Sequence, residues 1–280
     1  MNLVRRQNLC SIGNHVILLA GVAFLILPIV LIFVSSTHET SLLSDTGLQL
    51  WPGVEGGKNF TRVLTLAAGF TDQITALDMM KNSFILALGV AFLTTTFSLF
   101  AAYAMTYFRF PAANFLFWLT LSTLLLPLES RFITTFLVTD ALGLINTHLG
   151  MILPTLAVAL GTLFFRQLFL AFPNEYLEAA KLDGAGAVHF FVDFILPLSW
   201  KRGGAIFVVT FMVGWNQYLW PLMISTDERH YTLVRGIRLI GQESGTGMAL
   251  IVLSILPPLF LLVIFQRWFF RALADEKNSF

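Results

Sequence analysis

The sequence predicts an all-α integral membrane protein with six transmembrane helices. Hydrophobic residues make up 56% of the 280 residues and charged residues only 12%, whereas about a quarter of a soluble domain is charged. The hydrophobic residues gather in long runs, and a membrane-spanning helix needs about 20 of them. The six predicted spans are His15–Ser35, Ser83–Tyr107, Ala112–Leu128, Leu149–Phe165, Gly203–Ile224 and Met248–Phe265.

These spans divide the chain into an N-terminal segment, a first helix, a long loop, a five-helix core and a tail. A signal peptide is the alternative interpretation of the first helix, because Arg5 and Arg6 precede it. Its apolar run is too long for a signal peptide, and no clean small-residue cleavage site follows, so we expect the helix to be retained. The predicted divisions are residues 1–14, 15–35, 36–82, 83–265 with a loop at 173–200, and 266–280.

The distribution of Lys and Arg predicts the orientation of the chain. Six spans place both termini on the same side of the membrane, together with the 108–111 turn and the loop between the fourth and fifth spans. That side holds ten of the 17 Lys and Arg residues, in less total loop length than the other side. The positive-inside rule then predicts that both termini are cytoplasmic.

The predicted spans contain no Asp, Glu, Lys or Arg, which argues against several function classes. Carriers coupled to protons or sodium usually keep such residues near the bilayer midplane, and an intramembrane hydrolase would need a His or a carboxylate there. Cys10 is the only cysteine and the five histidines are scattered, so no metal is expected. The net charge of +1 gives no reason to expect nucleic acid. No phosphate-binding glycine loop is present, so any ATP must be bound by a partner.

The loop at 173–200 reads as two short amphipathic helices joined by a glycine turn. Pro173, Asn174 and Glu175 are typical of a helix start, and Gly184 is placed to adopt the left-handed conformation that ends a helix. Ala180 and Gly184 are four residues apart, which predicts a shared face of small residues. The second helix is expected to stop at Pro197, and its predicted apolar face contains Val188, Phe191, Val192 and Ile195. Taken alone, this pattern fits a helix pair on the membrane surface.

The same loop carries a motif. Glu178-Ala179-Ala180 is followed after three residues by Gly184, and after nine more by Phe194, Leu196 and Pro197. This spacing resembles the signature loop of permease subunits of binding-protein-dependent ABC importers, except that Phe194 stands where Ile is usual. The resemblance implies the type I ABC importer permease fold, and a helix in this loop that docks on the ATP-hydrolysing subunit. The residues expected to couple the chain to that subunit are Glu178, Ala179, Ala180, Asp183, Gly184, Leu196 and Pro197.

Further runs resemble the carbohydrate-uptake, or maltose-type, branch of this family. They are Asn59-Phe60, Asn82-Ser83-Phe84, Val213–Leu222, Gln266–Phe269 and Asp275–Lys277. Within the branch, the Val213–Leu222 run and the two runs near the C-terminus are similar to the second permease subunit of sn-glycerol-3-phosphate importers, which implies uptake of that compound or of glycerophosphodiesters. A neutral sugar or oligosaccharide is the alternative substrate. A carrier or channel that is not coupled to ATP, or a membrane-embedded enzyme, remains the alternative of another class.

The resemblance also implies partners. They are a second permease subunit that completes a heterodimer, two ATPase subunits that bind ATP and Mg, and a periplasmic or lipid-anchored substrate-binding protein. This chain would form half of the translocation pathway, would not itself be an enzyme, and would bind no cofactor.

Two further groups of residues are candidates for the translocation pathway and for contact with the binding protein. Asn216, Gln217 and Tyr218 either line the pathway or join neighbouring helices, because amides in hydrocarbon need partners. Trp215, Tyr218 and Trp220 are expected to form an aromatic belt at the membrane interface. The loop at 225–247 is either simply solvated or, as the family implies, touches the binding protein through Arg235, Arg238, Gly241 and Gly245.

Overall fold

The computed structural model describes residues 2–65, 74–126, 128–240 and 244–275, and within them the chain forms α-helices, 3₁₀ and π turns and no strand. This agrees with the predicted all-α class. The helices are α1 Asn2–Ser35, α2 Thr40–Thr46, α3 Gly56–Thr65, α4 Ala76–Tyr107, α5 Ala113–Ser122, α6 Phe132–Ala141, α7 His148–Ile152, α8 Val158–Leu170, α9 Asn174–Leu182, α10 Ala187–Phe190, α11 Leu196–Trp215, α12 Leu219–Ile224, α13 Leu233–Ile240 and α14 Gly245–Asp275.

Three of these helices are long and apolar enough to cross a membrane on their own. They contain the stretches Gly13–Ser35, Ala76–Tyr107 and Gly245–Gln266. Two bent pairs are each apolar enough for one more span: His148–Thr155 with Val158–Leu170, bent by 50°, and Ala187–Trp200 with Arg202–Trp215, bent by 65°. By length and composition, the described residues therefore provide three to five spans, where the sequence predicted six.

The difference lies in the predicted third span, Ala112–Leu128. The chain there forms α5, of ten residues, followed by a 3₁₀ turn at Thr123–Leu125. A helix of this length covers about 15 Å at 1.5 Å per residue, well short of a hydrocarbon core of about 30 Å. The apolar sequence continues beyond residue 122, but the regular α-helix does not.

The predicted fifth span, Gly203–Ile224, is also divided differently. α11 begins earlier, at Leu196, and ends at Trp215, and after a break the short helix α12 follows. The prediction that the helix stops at Pro197 is wrong: the chain stays helical through Pro197, and the 65° bend lies beyond it, between Trp200 and Arg202. A π turn at Phe191–Ile195 precedes Pro197, with the Leu196 N–H bonded to the Phe191 carbonyl, so Pro197 falls in the first turn of α11, where its missing N–H is not needed.

The chain divides into two compact units, Met1–Leu77 with Gly236–Leu256, and Asp78–Arg235 with Pro257–Phe280. In the first unit, the side chains of α1 from Gly13 onwards are mostly exposed, as expected for an apolar helix that faces lipid or a partner. The turn after α1 is held by the buried Asn59, whose amide donates to the carbonyls of Ser36 (2.9 Å) and His38 (2.8 Å).

The described residues of the second unit form two apolar clusters, one towards each end of α11. The first joins α4, α8, the 173–200 loop and α11, and its buried members are Leu99, Ala102, Tyr103, Phe165, Leu168, Phe169, Ala180, Phe190, Ile195 and Ile206. The second joins α4, α7 and α12, and its buried members are Leu86, Val90, Met151, Ile152, Trp220 and Ile224.

Candidate coupling segment and helix break

The loop at 173–200 is called the coupling segment below. Its first helix, α9, ends as predicted just before a left-handed glycine. Gly184 has a φ of +74°, in the left-handed region that favours glycine. The Ala185 N–H bonds the Ala180 carbonyl (2.9 Å) and the Gly184 N–H bonds the Lys181 carbonyl (3.1 Å). This is the Schellman arrangement, which satisfies two of the orphan carbonyls at the helix end.

The inner side of the coupling segment is fixed to the bundle by apolar contacts and one hydrogen bond. Ala180, Phe190 and Ile195 are buried in the first apolar cluster. The Tyr103 hydroxyl, on α4, donates to the Ala187 carbonyl (2.7 Å). A displacement of the segment would therefore be transmitted to α4 directly, because close-packed contacts of this kind do not deform continuously.

The outer side of the segment is exposed and has unused binding capacity. The side-chain carboxylates of Glu178 and Asp183 have no hydrogen-bond or ion-pair partner within the described part of the chain. Leu182 is 89% exposed and Val188 75% exposed. These aliphatic side chains and unpaired carboxylates are therefore available for contact with another protein, and that role stays a prediction.

Two details of the predicted faces are wrong. Ala180 is buried whereas Gly184 is exposed, because α9 ends at Leu182 and Gly184 lies beyond the helical register. In the second helix, Val188 and Val192 are exposed and Phe190 takes a buried position, because the π turn at 191–195 shifts the register. Ala180 therefore sets how closely α9 approaches its own bundle. Of the remaining candidates, Ala179, Leu196 and Pro197 are exposed.

The three pathway candidates lie together at the break between α11 and α12. The Asn216 side chain is exposed and donates back to the Met212 carbonyl (2.9 Å), and Gln217 and Tyr218 are half-buried. Non-helical backbone at membrane depth is tolerated where it is enclosed by protein or lines a water-filled cavity. The break therefore gives the amides of these residues a setting suited to a pathway for polar solutes, and that role stays a prediction.

The aromatic belt predicted around this break is wrong for its two tryptophans. Trp215 and Trp220 are both 2% exposed. Trp215 is stacked on Phe211, with ring centroids 5.9 Å apart, and Trp220 donates from Nε1 to the Gly150 carbonyl (3.0 Å). Both tryptophans are core residues, and the indole N–H of Trp220 is hydrogen-bonded inside the bundle and not at the membrane interface.

The loops beyond the break are held by amide side chains. Asn146 has a φ of 56°, and its Oδ1 accepts from the N–H groups of Thr226 (2.6 Å) and Asp227 (2.9 Å). Near the start of α4, the buried Asn82 donates to the carbonyls of Arg229 (2.7 Å) and Tyr231 (3.0 Å). These bonds use both amide hydrogens of Asn82, so its Oδ1 faces His148 Nε2 (3.0 Å), and that nitrogen must carry a hydrogen.

The candidate contacts for a binding protein are in different settings. Arg235 donates to the Ser225 carbonyl near the end of α12, and its Cζ lies 3.5 Å from the centroid of the Tyr231 ring. Burial lowers the pKa of the Arg235 guanidinium from its usual range. Gly245 is buried, and a Cβ there would clash with the His38 carbonyl. Arg238 already has an interaction within the chain, and Gly241 lies outside the described residues.

Sequence reasoning missed three residues that position these sites. Tyr103 reads as one more aromatic in an apolar run, and its partner carbonyl is 84 positions away. Asn146 and Asn82 form hydrogen bonds with residues that are 66 to 149 positions away in the sequence. The amides flanking apolar runs were the available signal, because such groups need partners when buried. Within the described residues, no group of three or more His, Cys, Asp or Glu side chains could hold a metal ion.

Comparison with known proteins gives concordant results. Residues 94–275 match the family model described as binding-protein-dependent transport system inner membrane component. The sn-glycerol-3-phosphate transport system permease protein UgpE of Yersinia pestis (strain Antiqua) is 39% identical over 270 residues, covering 94% of this chain and 96% of the relative. The UgpE proteins of Pectobacterium atrosepticum and Salmonella typhi are each 38% identical over 274 residues, covering 96% and 97%.

A solved structure shares the fold. A chain from the crystal structure of a bacterial ABC transporter involved in the import of the acidic polysaccharide alginate superposes with a TM-score of 0.80, covering 95% of this chain and 98% of that one at 20% identity. The predicted permease fold is thereby confirmed, with the helix breaks described above.

Proposed function

The chain belongs to the family of inner-membrane components of binding-protein-dependent transport systems, the permease subunits of ABC importers, and we propose that it imports sn-glycerol-3-phosphate or glycerophosphodiesters. The observation that carries the substrate proposal is the identity of 38–39% to UgpE proteins along nearly the whole of both chains. The runs at Val213–Leu222 and at the tail point to the same branch of the family.

A permease of this family works with a partner permease, an ATPase and a substrate-binding protein. We propose the finer arrangement of a heterodimer with a different permease, served by two ATPase subunits that hold ATP and Mg, and by a periplasmic or lipid-anchored binding protein. The exposed outer side of the coupling segment supports docking of an ATPase subunit there. This chain would bind no cofactor and hydrolyse no ATP.

The protein is a multi-pass protein of the inner membrane, and we propose that both termini are cytoplasmic. This orientation requires the two short apolar helices Ala113–Leu125 and Phe132–Ala141 to complete a sixth crossing beside the five spans described above. The excess of Lys and Arg on the side of the coupling segment supports this orientation. It would place the coupling segment where a cytoplasmic ATPase can reach it, and the loops beyond α12 where a periplasmic binding protein can dock.

An anionic substrate would be stabilised in the pathway by positive charge or by polar groups, and this chain provides only the polar groups. The predicted spans contain no fixed positive charge to meet a phosphate. Asn216 and Gln217 offer neutral amides at the break after α11, which suit passage of a polar solute without holding it tightly. Most selectivity for the substrate would therefore reside in the binding protein.

Uptake by cells tests the substrate directly. In a host that lacks other routes for glycerol-3-phosphate, deletion of this chain should abolish uptake of the radiolabelled compound, and re-expression should restore it. In mild detergent, the re-expressed chain should copurify with an ATPase subunit. Undiminished uptake after deletion, with loss of a neutral disaccharide instead, would overturn the substrate and move the assignment to a sugar importer.

A further inference from the structure

A cleft of about 260 Å³ opens where the coupling segment meets the bundle. It is lined by the end of α4 and the residue Arg109 beyond it, by the end of α8, by α9, and by residues 190–198. All of these elements belong to one compact unit. Of the α9 residues that line it, Leu177 packs against the first apolar cluster, whereas Asn174, Tyr176 and Lys181 are exposed.

The charge of this cleft is one-sided. Arg109 and Lys181 line it from two different elements, and no Asp or Glu is among its lining residues. Both side chains are exposed, and neither has a hydrogen-bond or ion-pair partner in the described ranges. Arg166 of α8 is already engaged, since its guanidinium lies 4.2 Å from the centroid of the Phe117 ring and donates to Asn114.

The remaining lining combines neutral polar groups with an apolar wall. Asn174 and Tyr176 contribute an amide and a phenol, whereas Phe172, Phe194 and Leu198 are apolar. Two unpaired cations next to an apolar wall match a ligand with a compact anionic group attached to a less polar body. Arg and Lys both bind phosphate oxygens through charge-assisted hydrogen bonds, the Arg as a planar fork and the Lys as a point charge.

We propose that this cleft binds the phosphate group of a phosphate ester between Arg109 and Lys181. A ligand there connects α9 with the chain that leaves α4, and so steadies the coupling segment against the bundle. The phosphate has two possible sources, the headgroup of an anionic phospholipid or a free phosphate compound. Basic pockets at the ends of membrane helices are known to take lipid headgroups.

The test uses the whole importer in lipid nanodiscs. One preparation contains phosphatidylcholine only, a second contains added phosphatidylglycerol, and a third contains phosphatidylcholine with inorganic phosphate against chloride at equal ionic strength. Native mass spectrometry counts retained phosphatidylglycerol, and equilibrium dialysis measures radiolabelled phosphate. The double variant Arg109→Gln with Lys181→Gln is compared with the natural chain and with Arg131→Gln, which removes an exposed cation that does not line the cleft.

We expect the double variant to bind the phosphate-bearing ligand at least about tenfold more weakly, because it loses two charge-assisted interactions. Arg131→Gln should bind as the natural chain does, and the charge-conserving Lys181→Arg should retain most of the affinity. An effect seen only with phosphatidylglycerol identifies a lipid site, and an effect with inorganic phosphate identifies a site for soluble phosphates. Equal binding by the double variant and the natural chain, or no binding of either ligand, would overturn the proposal.

Discussion

The two ends of α11 are held by different chemistry. At its N-terminal end, the coupling segment is fixed by buried apolar side chains such as Phe190 and Ile195 and by one hydrogen bond from Tyr103. At its C-terminal end, α12 is also packed in an apolar cluster, but the loops beyond it are held by directional bonds from the amides of Asn82 and Asn146.

The difference corresponds to what each end has to do. Apolar packing is tight but non-directional, so a segment held in this way can shift together with α4 and α8 while its outer side stays free for a partner. Amide bonds instead fix the local backbone, which suits loops that must present a defined surface. We therefore expect substitutions at the first end to uncouple transport, and substitutions at the second end to reduce stability.

Gly184→Asp should have the largest effect and should act on coupling. A Cβ at Gly184 would have open space within the chain, so the variant should fold and insert, at a cost of about 1–2 kcal/mol for the left-handed conformation. The added side chain would stand on the exposed side of the segment. We expect transport, and ATP hydrolysis stimulated by substrate, to fall at least about tenfold in the reconstituted importer, which corresponds to 1.4 kcal/mol or more.

Gly186→Asp is the matched control for that substitution. Gly186 also has open space around a Cβ, but its φ of −72° is favourable for any residue. It should therefore transport much closer to the natural rate. Normal transport by Gly184→Asp with the ATPase bound would contradict the coupling role of the segment. Equal losses in both variants would show that the left-handed conformation is not the cause.

Asn146→Ala should act on stability at the opposite end. It removes the acceptor for two backbone N–H groups and the donor to the Thr226 hydroxyl (2.8 Å), and it forces a left-handed φ on Ala. Each hydrogen bond contributes roughly 1 kcal/mol net, and partial exposure of the site reduces the loss because water can replace some of the bonds. We therefore expect a loss of about 2 kcal/mol in the free energy of unfolding. Thermal unfolding of the purified complex in detergent measures it.

Asn146→Gly separates the two contributions to this loss. Gly loses the same hydrogen bonds but adopts the φ of 56° without strain, so it should be more stable than the Ala variant by about 1 kcal/mol. If the Ala and Gly variants unfold at the temperature of the natural chain, the amide bonds are not what holds this end, and the proposed difference between the two ends fails.

The parts that the sequence predicted well are those that are encoded locally. The apolar runs locate α1, α4 and α14 because burial in lipid depends on the composition of the run itself. The left-handed Gly184 followed from a glycine just beyond a helical pattern. The family signature added the expected fold, which no pattern of hydrophobicity contains.

The parts that the sequence missed depend on distant contacts or on local backbone irregularity. The run Asn216-Gln217-Tyr218 contains neither Gly nor Pro, and the signal for the helix break was Pro221 in the first turn of α12, whereas Pro197 marks a stop that does not occur. The π turn before Pro197 removes the need for a break there. The bond from Tyr103 to Ala187 joins residues 84 positions apart, and no local pattern predicts it.

Tyr103→Phe should have the smallest effect, and it tests the apolar end of the comparison most closely. The variant keeps the ring among its aromatic neighbours and removes only the hydroxyl that donates to the Ala187 carbonyl at 2.7 Å. Loss of one such bond costs about 1 kcal/mol, so we expect the importer to fold normally and to move a few-fold less substrate for each ATP hydrolysed. Tyr107→Phe is the control, because its hydroxyl lies 3.5 Å from the Phe169 carbonyl, at the limit of a hydrogen bond, and its removal should leave that ratio nearly unchanged. An unchanged ratio in Tyr103→Phe would mean that the apolar contacts of Phe190 and Ile195 alone link the coupling segment to α4 and α8. An equal loss in both variants would instead show that repacking of the shared aromatic cluster, and not loss of this bond, is the cause.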